Sequence, residues 1–155
     1  MEAKKMMEAK TVRELPFTVG EFQGHGAWAD RQGRQGAYKA ELTILTEAGG
    51  VIMHVVTRYF LDGVGAVFHQ ENSRVQIIPS ADPFFEVAIQ YEGPEDRGHG
   101  YCFGNRCHYE VALIGGAYIE ATYTQNEESI QLLGSSSKNG NLTVWAETLL
   151  RDRRV

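Results

Sequence analysis

Glycine-centred turn signals recur at short intervals from Gly36 to the C-terminus, with almost nothing between them that favours a helix. The five clearest are Gly49-Gly50, Asp62-Gly63, Gly104-Asn105, Gly115-Gly116 and Asn139-Gly140. Each lies between segments rich in Val, Ile, Thr, Phe and Tyr, and each offers the positive φ angles that a two-residue hairpin requires. A series of hairpins must protect its two edge strands, and closure into a barrel does so. The sequence therefore predicts an all-β, antiparallel up-and-down (meander) β-barrel whose interior offers a binding site.

The predicted barrel has about ten strands, or eleven if the segment 64–79 is two strands instead of one. The predicted strands are Gly20–Ala29, Ala37–Thr46, Val51–Phe60, Val64–Glu71, Arg74–Pro79, Phe84–Tyr91, His99–Phe103, Arg106–Leu113, Ala117–Thr124, Ser129–Ser135 and Leu142–Arg151. Short connections make neighbouring strands antiparallel. We expect residues 1–15 to form a short N-terminal helix or arm and residues 16–155 to form one barrel domain.

The bulk composition narrows the classes of partner. The formal net charge is -5, which disfavours nucleic acid because phosphate binding depends on basic patches. No apolar run approaches the roughly 18 residues of a membrane-crossing helix, and the first ten residues contain no apolar stretch typical of a signal peptide. We therefore expect a cytoplasmic protein with a small-molecule ligand and neither nucleic acid nor membrane as partner, and we leave open a homodimer.

The turns also predict which side chains face the lumen, because register decides the face of every residue in a strand. A hairpin centred on Gly49-Gly50 pairs Ile44 with Val55 and Ala40 with Tyr59. On the other face it pairs Glu41 with Arg58, an opposite-charge pair that suits solvent. We accordingly predict that the set containing Tyr59 faces inward, joined by Met53, Ala66, Phe68 and Gln70, and that Arg58, Phe60, His54 and His69 face outward.

The same reasoning applies to the later hairpins. Val75, Ile77, Phe85, Val87, Ile89 and Tyr91 are predicted to face inward. In the next hairpins the predicted inward set is Cys102, Cys107, Tyr109, Val111, Leu113, Tyr118, Glu120 and Thr122, with Glu120 facing Val111. The turn at Asn139-Gly140 pairs Gly134 with Trp145, Leu132 with Glu147 and Glu128 with Arg151.

The segment Gly20 to Trp28 resembles the first strand of the calycin superfamily, the lipocalin and fatty-acid-binding-protein barrels. The resemblance rests on Gly26-Ala27-Trp28, which matches the Gly-x-Trp of that strand, and on the up-and-down layout of nearly the whole chain. In outline the chain is also similar to bacterial lipocalin-like domains and to haem-binding nitrobindins. The resemblance implies a barrel that binds a small hydrophobic molecule, with a basic residue near the last strand, Arg151 or Arg153, packed over Trp28.

Aromatic and carboxylate side chains on the predicted inner faces are the candidate ligand-binding residues. They are Trp28, Tyr38, Tyr59, Phe68, Phe85, Tyr91, Tyr109, Tyr118, Glu120 and Trp145. Apolar walls with a few polar tips are typical of small-molecule sites. A lumen carboxylate such as Glu120 has a raised pKa when buried and suits general acid or base chemistry, and Glu147 is a second candidate if it faces inward. The alternative is a solid core without a cavity.

Histidine and cysteine supply the remaining candidates for chemistry. His54, His69 or His108 would hold haem or a metal if they faced the lumen, but the predicted outward faces of His54 and His69 argue against it. Cys107 and His108 are adjacent on a strand and point to opposite faces, so we expect no structural metal site. Cys102 and Cys107 are predicted to lie directly opposite each other, as two packed thiols in the cytosol or as a disulfide outside it.

These observations favour a binding protein for a small hydrophobic or amphipathic molecule, with no cofactor. Two alternatives remain open. One is an enzyme of the same shape that uses a lumen Glu or His for isomerisation or hydrolysis. The other is a haem or metal carrier that uses a His.

Overall fold

The computed structural model describes residues 15–153, and these form a closed barrel of ten antiparallel strands. The strands are β1 (Gly20–Asp30), β2 (Gln35–Thr46), β3 (Ile52–Leu61), β4 (Val67–Pro79), β5 (Phe84–Gln90), β6 (Asp96–Phe103), β7 (Arg106–Ala112), β8 (Tyr118–Gln125), β9 (Ser129–Lys138) and β10 (Asn141–Arg151). Each strand pairs with its neighbours in the sequence, and β1 pairs with β10 to close the wall. The predicted meander barrel is confirmed. The predicted N-terminal helix or arm lies almost wholly outside the described residues.

The segment predicted as one or two strands is a single strand, β4, of 13 residues. The one helical element among residues 15–153 is a 3-10 turn at Ala48–Gly50. That part of the chain contains no helix with the length and apolar character that a membrane crossing requires.

Two of the predicted hairpin registers are confirmed, because their turns contain two residues as expected. Phe103 pairs with Arg106 around Gly104-Asn105, which places Cys102 directly opposite Cys107. Lys138 pairs with Asn141 around Asn139-Gly140, and so Gly134 faces Trp145 and Leu132 faces Glu147. The predicted Glu128–Arg151 pairing is made by the backbone, since the Arg151 N–H donates to the Glu128 carbonyl at 2.8 Å.

The register of β2 against β3 differs from the prediction by one residue. Thr46 pairs with Ile52, so the connection contains the five residues 47–51 and its ends meet through the Glu47 N–H and the Val51 carbonyl. Because the connection has five residues instead of two, the face of β3 that points inward is the opposite of the predicted one. His54, Val56 and Arg58 face the lumen, and Tyr59 faces outward. The predicted solvent pair of Glu41 with Arg58 is wrong, because Glu41 pairs with Thr57.

The same one-residue shift occurs between β7 and β8. Ala112 pairs with Tyr118 across a five-residue connection, and Val111 faces Ile119 instead of Glu120. Ile119, Ala121 and Tyr123 are therefore buried. The predicted inward positions of Tyr118, Glu120 and Thr122 are wrong, since all three lie on the outer face.

The barrel interior is packed solidly at one end. Buried apolar side chains from all ten strands fill it, including Phe22, Ile44, Ile77, Phe85 and Leu149. Leu15 and Phe17, which precede β1, are also buried and pack against this core. Together they close the end of the barrel that carries the loop 47–51.

The two cysteines are joined. Cys102 and Cys107 form a disulfide between β6 and β7, with their Cα atoms 4.1 Å apart. Of the two predicted alternatives, packed thiols and a cross-strand disulfide, the disulfide is the one observed.

Candidate functional site

A cavity of about 350 Å³ opens at the other end of the barrel, above the packed core. Its walls come from the end of β1, the start of β2, the end of β3, the start of β4, the residue after β5 and the start of β10. The lining residues are Trp28, Tyr38, Arg58, Phe60, Phe68, His69, Glu71, Tyr91, Thr143 and Trp145. The lumen is thus half core and half cavity, so the interpretation of a barrel filled throughout is wrong.

Glycines on neighbouring strands make room for three of the aromatic rings that surround the cavity. Trp28 lies across Gly36, and Trp145 lies across Gly134. A Cβ atom at Gly134 would approach the Trp145 ring to 2.3 Å, and one at Gly26 would approach the Tyr38 ring to 2.2 Å. The rings therefore occupy the space above these glycines that any larger residue would fill with its own side chain. This arrangement fixes large apolar surfaces in place and leaves the space between them open.

The polar base of the cavity is a buried group of three side chains. The Arg58 guanidinium from β3 pairs through Nε with Oε1 of Glu147 from β10. The Tyr38 hydroxyl from β2 donates to the same carboxylate oxygen at 2.9 Å. The Glu147 side chain is 2% exposed and that of Arg58 is 14% exposed. Burying a carboxylate is costly unless it has a cationic partner and hydrogen bonds, and this one has both.

Electrostatics fix the protonation states of Arg58 and Tyr38. Burial by itself would lower the pKa of Arg58, but the adjacent Glu147 carboxylate outweighs burial and raises it above the ordinary value. Burial, reinforced by the same carboxylate, raises the pKa of the Tyr38 hydroxyl well above its usual range. Arg58 therefore stays charged and Tyr38 stays a hydrogen-bond donor throughout the physiological pH range.

The rim of the cavity is formed at the start of β4. A register shift between Phe60 and Leu61 breaks the regular alternation there, so Phe68, His69 and Glu71 all reach the cavity. His69 Nε2 lies 3.6 Å from Oε1 of Glu71, and its ring packs 5.7 Å from that of Phe60. The rim thus combines an exposed aromatic ring with two titratable side chains.

Five of the ten predicted ligand-binding residues line this cavity: Trp28, Tyr38, Phe68, Tyr91 and Trp145. Phe85 and Tyr109 face inward as predicted, but they are buried in the packed core instead of lining the cavity. Tyr59, Tyr118 and Glu120 lie on the outer face, so their predicted place in the lumen is wrong. The reason is the one-residue shift at the connections 47–51 and 113–117.

The prediction missed Arg58, Phe60 and His69, because the shifted register assigned all three to the outer face. One sequence signal was available for Arg58. Glu147 was correctly placed opposite Leu132, a buried position, and a carboxylate there requires a cationic partner.

The position of His54 also differs from the prediction. His54 faces inward from β3 and is fully buried at the closed end, with its ring 4.7 Å from that of Phe17 and 5.4 Å from that of Tyr123. Neither ring nitrogen has a hydrogen-bond partner among residues 15–153. Burial lowers the pKa of His54 to about 3, so the ring is neutral. His54 is separated from the cavity by the core, and His108 lies on the outer wall.

The expected packing of a basic residue over Trp28 is absent from the described residues. Arg151 lies over the ring of Phe22, 4.8 Å from its centroid, at the closed end of the barrel. Arg153 pairs instead with Glu128. Trp28 lies at the open end, where it lines the cavity with Trp145.

Comparison with known proteins supports the fold. No family model matches the chain, and no curated protein matches it in sequence. The structure is similar to the crystal structure of Rv2717c from M. tuberculosis, with a TM-score of 0.69, 12% identity and coverage of 96% of this chain and 97% of that one. It is also similar to the S-type phycobiliprotein lyase CPES from Guillardia theta, with a TM-score of 0.69, 10% identity and coverage of 99% and 94%.

Both similar structures match the ten-stranded antiparallel barrel over nearly the whole of either chain. The chain therefore shares this fold along nearly its whole length. At these identities the similarity concerns the fold alone.

Proposed function

We propose that this protein binds a small amphipathic molecule in the open half of the barrel. The observation that carries the proposal is a cavity that joins aromatic walls to a buried guanidinium. An apolar ligand body would lie between Trp28, Trp145 and Phe60, and a polar group would accept hydrogen bonds from Arg58. Nε is one of five N–H donors of that guanidinium, and the side chain as a whole lines the cavity.

The charges around the cavity favour a neutral polar group on the ligand. Glu147 balances the charge of Arg58, and Glu71 adds a further carboxylate at the rim. A ligand carboxylate would have to approach two acidic side chains to reach one guanidinium. A carbonyl or hydroxyl oxygen accepts the same hydrogen bonds without that repulsion. The volume, about 350 Å³, lies at the low end of the range for ligand pockets and favours a compact ligand.

Tryptophan fluorescence provides a direct test, because the chain contains two Trp residues and both line the cavity. Undecanone and undecanoate, which share a chain length but differ in the polar group, would each be titrated into the full chain. We expect a saturable change in emission with both probes and tighter binding of the ketone. No emission change with either probe would contradict the proposed site.

Two exposed phenylalanines supply a matched pair of variants. Phe68 is 65% exposed and lines the cavity, whereas Phe103 is 68% exposed and lies on the outer wall. Phe68→Ala should weaken undecanone binding about tenfold, since it removes roughly 1.5 kcal/mol of apolar contact. Phe103→Ala should leave binding unchanged, and equal effects of the two variants would refute the assignment. Native mass spectrometry of freshly purified protein would then identify any ligand that co-purifies.

A haem or metal carrier is a second candidate, because the half-exposed His69 side chain lines the cavity with its Nε2 atom 3.6 Å from Oε1 of Glu71. A Soret band in the purified protein, lost in His69→Ala, would favour this function over the first. The enzyme alternative that relied on Glu120 loses its residue, since Glu120 lies outside the barrel. Glu147 lies in the lumen but already accepts hydrogen bonds from Arg58 and Tyr38.

A further inference from the structure

The outer wall of the barrel brings together a histidine and two glutamates on β7 and β8. His108 and Glu110 are two residues apart on β7 and so share a face, and Glu120 on β8 lies directly opposite Glu110. One ligand atom from each of these three side chains can be chosen so that all lie within 4.8 Å of one another. None of the three lines the cavity in the barrel.

Neighbouring hydroxyl groups orient two of these side chains. The Nδ1 atom of His108 lies 3.0 Å from the Thr122 hydroxyl, and the Tyr118 hydroxyl donates to Oε2 of Glu110. The remaining atoms, Nε2 of His108 and Oε1 of Glu110, face each other at 3.6 Å. Ligands about 2.1 Å from a tetrahedral Zn²⁺ are about 3.4 Å apart, so this spacing is close to that of two zinc ligands.

The charges at this position also favour a cation. Like charges directly opposite each other on an antiparallel pair are destabilising, and Glu110 and Glu120 are such a pair. Among the ion pairs of residues 15–153, neither glutamate has a Lys or Arg partner, and Glu110 has only His108. A divalent ion between the two carboxylates would turn this repulsion into attraction.

We propose that His108, Glu110 and Glu120 form a surface site for a divalent transition-metal ion of the zinc class. His108 binds through Nε2, the two carboxylates contribute oxygen atoms, and water completes the coordination. Imidazole selects Zn²⁺, Cu²⁺ or Ni²⁺ over Mg²⁺ and Ca²⁺, which prefer all-oxygen sites. Thr122 and Tyr118 hold the ligands from outside, as is usual around protein-bound metals.

Isothermal titration of the full, chelator-treated chain with Zn²⁺ tests the site. Reductant is left out, because reduction of the Cys102–Cys107 disulfide would create two further ligands. We expect one Zn²⁺ per chain and no binding of Mg²⁺. His108→Ala and Glu120→Gln should each weaken Zn²⁺ binding at least tenfold, and Tyr118→Phe should weaken it about tenfold. His25→Ala removes an exposed histidine from β1 and should have no effect.

A second measurement separates coordination from general charge effects. Co²⁺ in place of Zn²⁺ should give visible absorption bands that His108→Ala abolishes. Zn²⁺ binding that survives both His108→Ala and Glu120→Gln, or the absence of binding at millimolar Zn²⁺, would overturn the proposal. Because these residues lie outside the lumen, the same variants should bind undecanone normally, so this proposal and the proposed function fail independently.

Discussion

Replacing His54 with Phe should make the protein less sensitive to mild acid. The imidazole of His54 is fully buried between Phe17 and Tyr123, and burial alone lowers its pKa to about 3. In the unfolded chain the same ring has a pKa of about 6.5. Between these two values the unfolded state binds a proton that the folded state does not. The titration of His54 therefore leaves the free energy of unfolding unchanged above pH 6.5 and lowers it progressively as the pH falls towards 3.

The magnitude follows from the linkage relation. Protonation of the unfolded chain at His54 lowers the free energy of unfolding by about 2 kcal/mol between pH 7 and pH 5. His54→Phe removes that contribution and keeps a ring in the same place. At pH 7 the variant should also be more stable by about 1 kcal/mol, since two buried nitrogens without hydrogen bonds are removed.

Urea denaturation at pH 7 and pH 5, followed by tryptophan fluorescence, measures both effects. The stability gain of His54→Phe should be about 2 kcal/mol larger at pH 5 than at pH 7. His25→Phe, at an exposed position of β1, serves as the control and should show no such difference. A gain for His54→Phe that is equal at the two pH values would show that the imidazole has solvent or a partner in the folded protein, and would refute the argument.

Two further predictions concern the ion pair and the disulfide. Glu147→Gln should destabilise the protein by about 3 kcal/mol because it leaves a buried guanidinium without its counter-ion, whereas the double variant Arg58→Met/Glu147→Leu should be close to neutral. Urea denaturation measures both changes, with Glu41→Gln at an exposed position as the control. Equal losses of stability in the single and double variants would contradict the ion pair. Cys102→Ala/Cys107→Ala should cost about 2 kcal/mol, the loop-closure value for six residues, and an unchanged urea midpoint under non-reducing conditions would refute it.

The turn chemistry of the chain is sufficient to predict the architecture but not every register. Gly104-Asn105 and Asn139-Gly140 form two-residue turns, and the pairs predicted around them are confirmed. Gly49-Gly50 and Gly115-Gly116 lie instead within five-residue connections. A Gly-Gly pair is compatible with either length, so its position alone does not decide whether β3 and β8 present their odd or even residues to the lumen.

Hydrophobic alternation does not resolve β3 either, because both of its faces are apolar. Met53 and Val55 on one face alternate with Ile52 and Val56 on the other. The charged residue that follows, Arg58, indicates an outward face when it is paired with Glu41 on β2. Its partner, Glu147, is 89 residues away on β10. Pairing rules that consider only neighbouring strands in the sequence do not predict such a contact. For this reason the sequence predicts the aromatic walls of the cavity but not Arg58.

The proposed function gives the ion pair in the lumen a role that stability alone does not. Buried ion pairs seldom stabilise a fold relative to well-packed apolar side chains, because the desolvation of two charges offsets their attraction. Here the pair lies where the packed core ends and the open cavity begins, and Tyr38 completes its hydrogen bonding. The glycines beneath Trp145 and Trp28 keep the space above it from being filled. A double variant Arg58→Met/Glu147→Leu that keeps its stability but no longer prefers undecanone to undecanoate would separate these two roles, because selectivity would then reside in the ion pair while the fold depends on the apolar core below it.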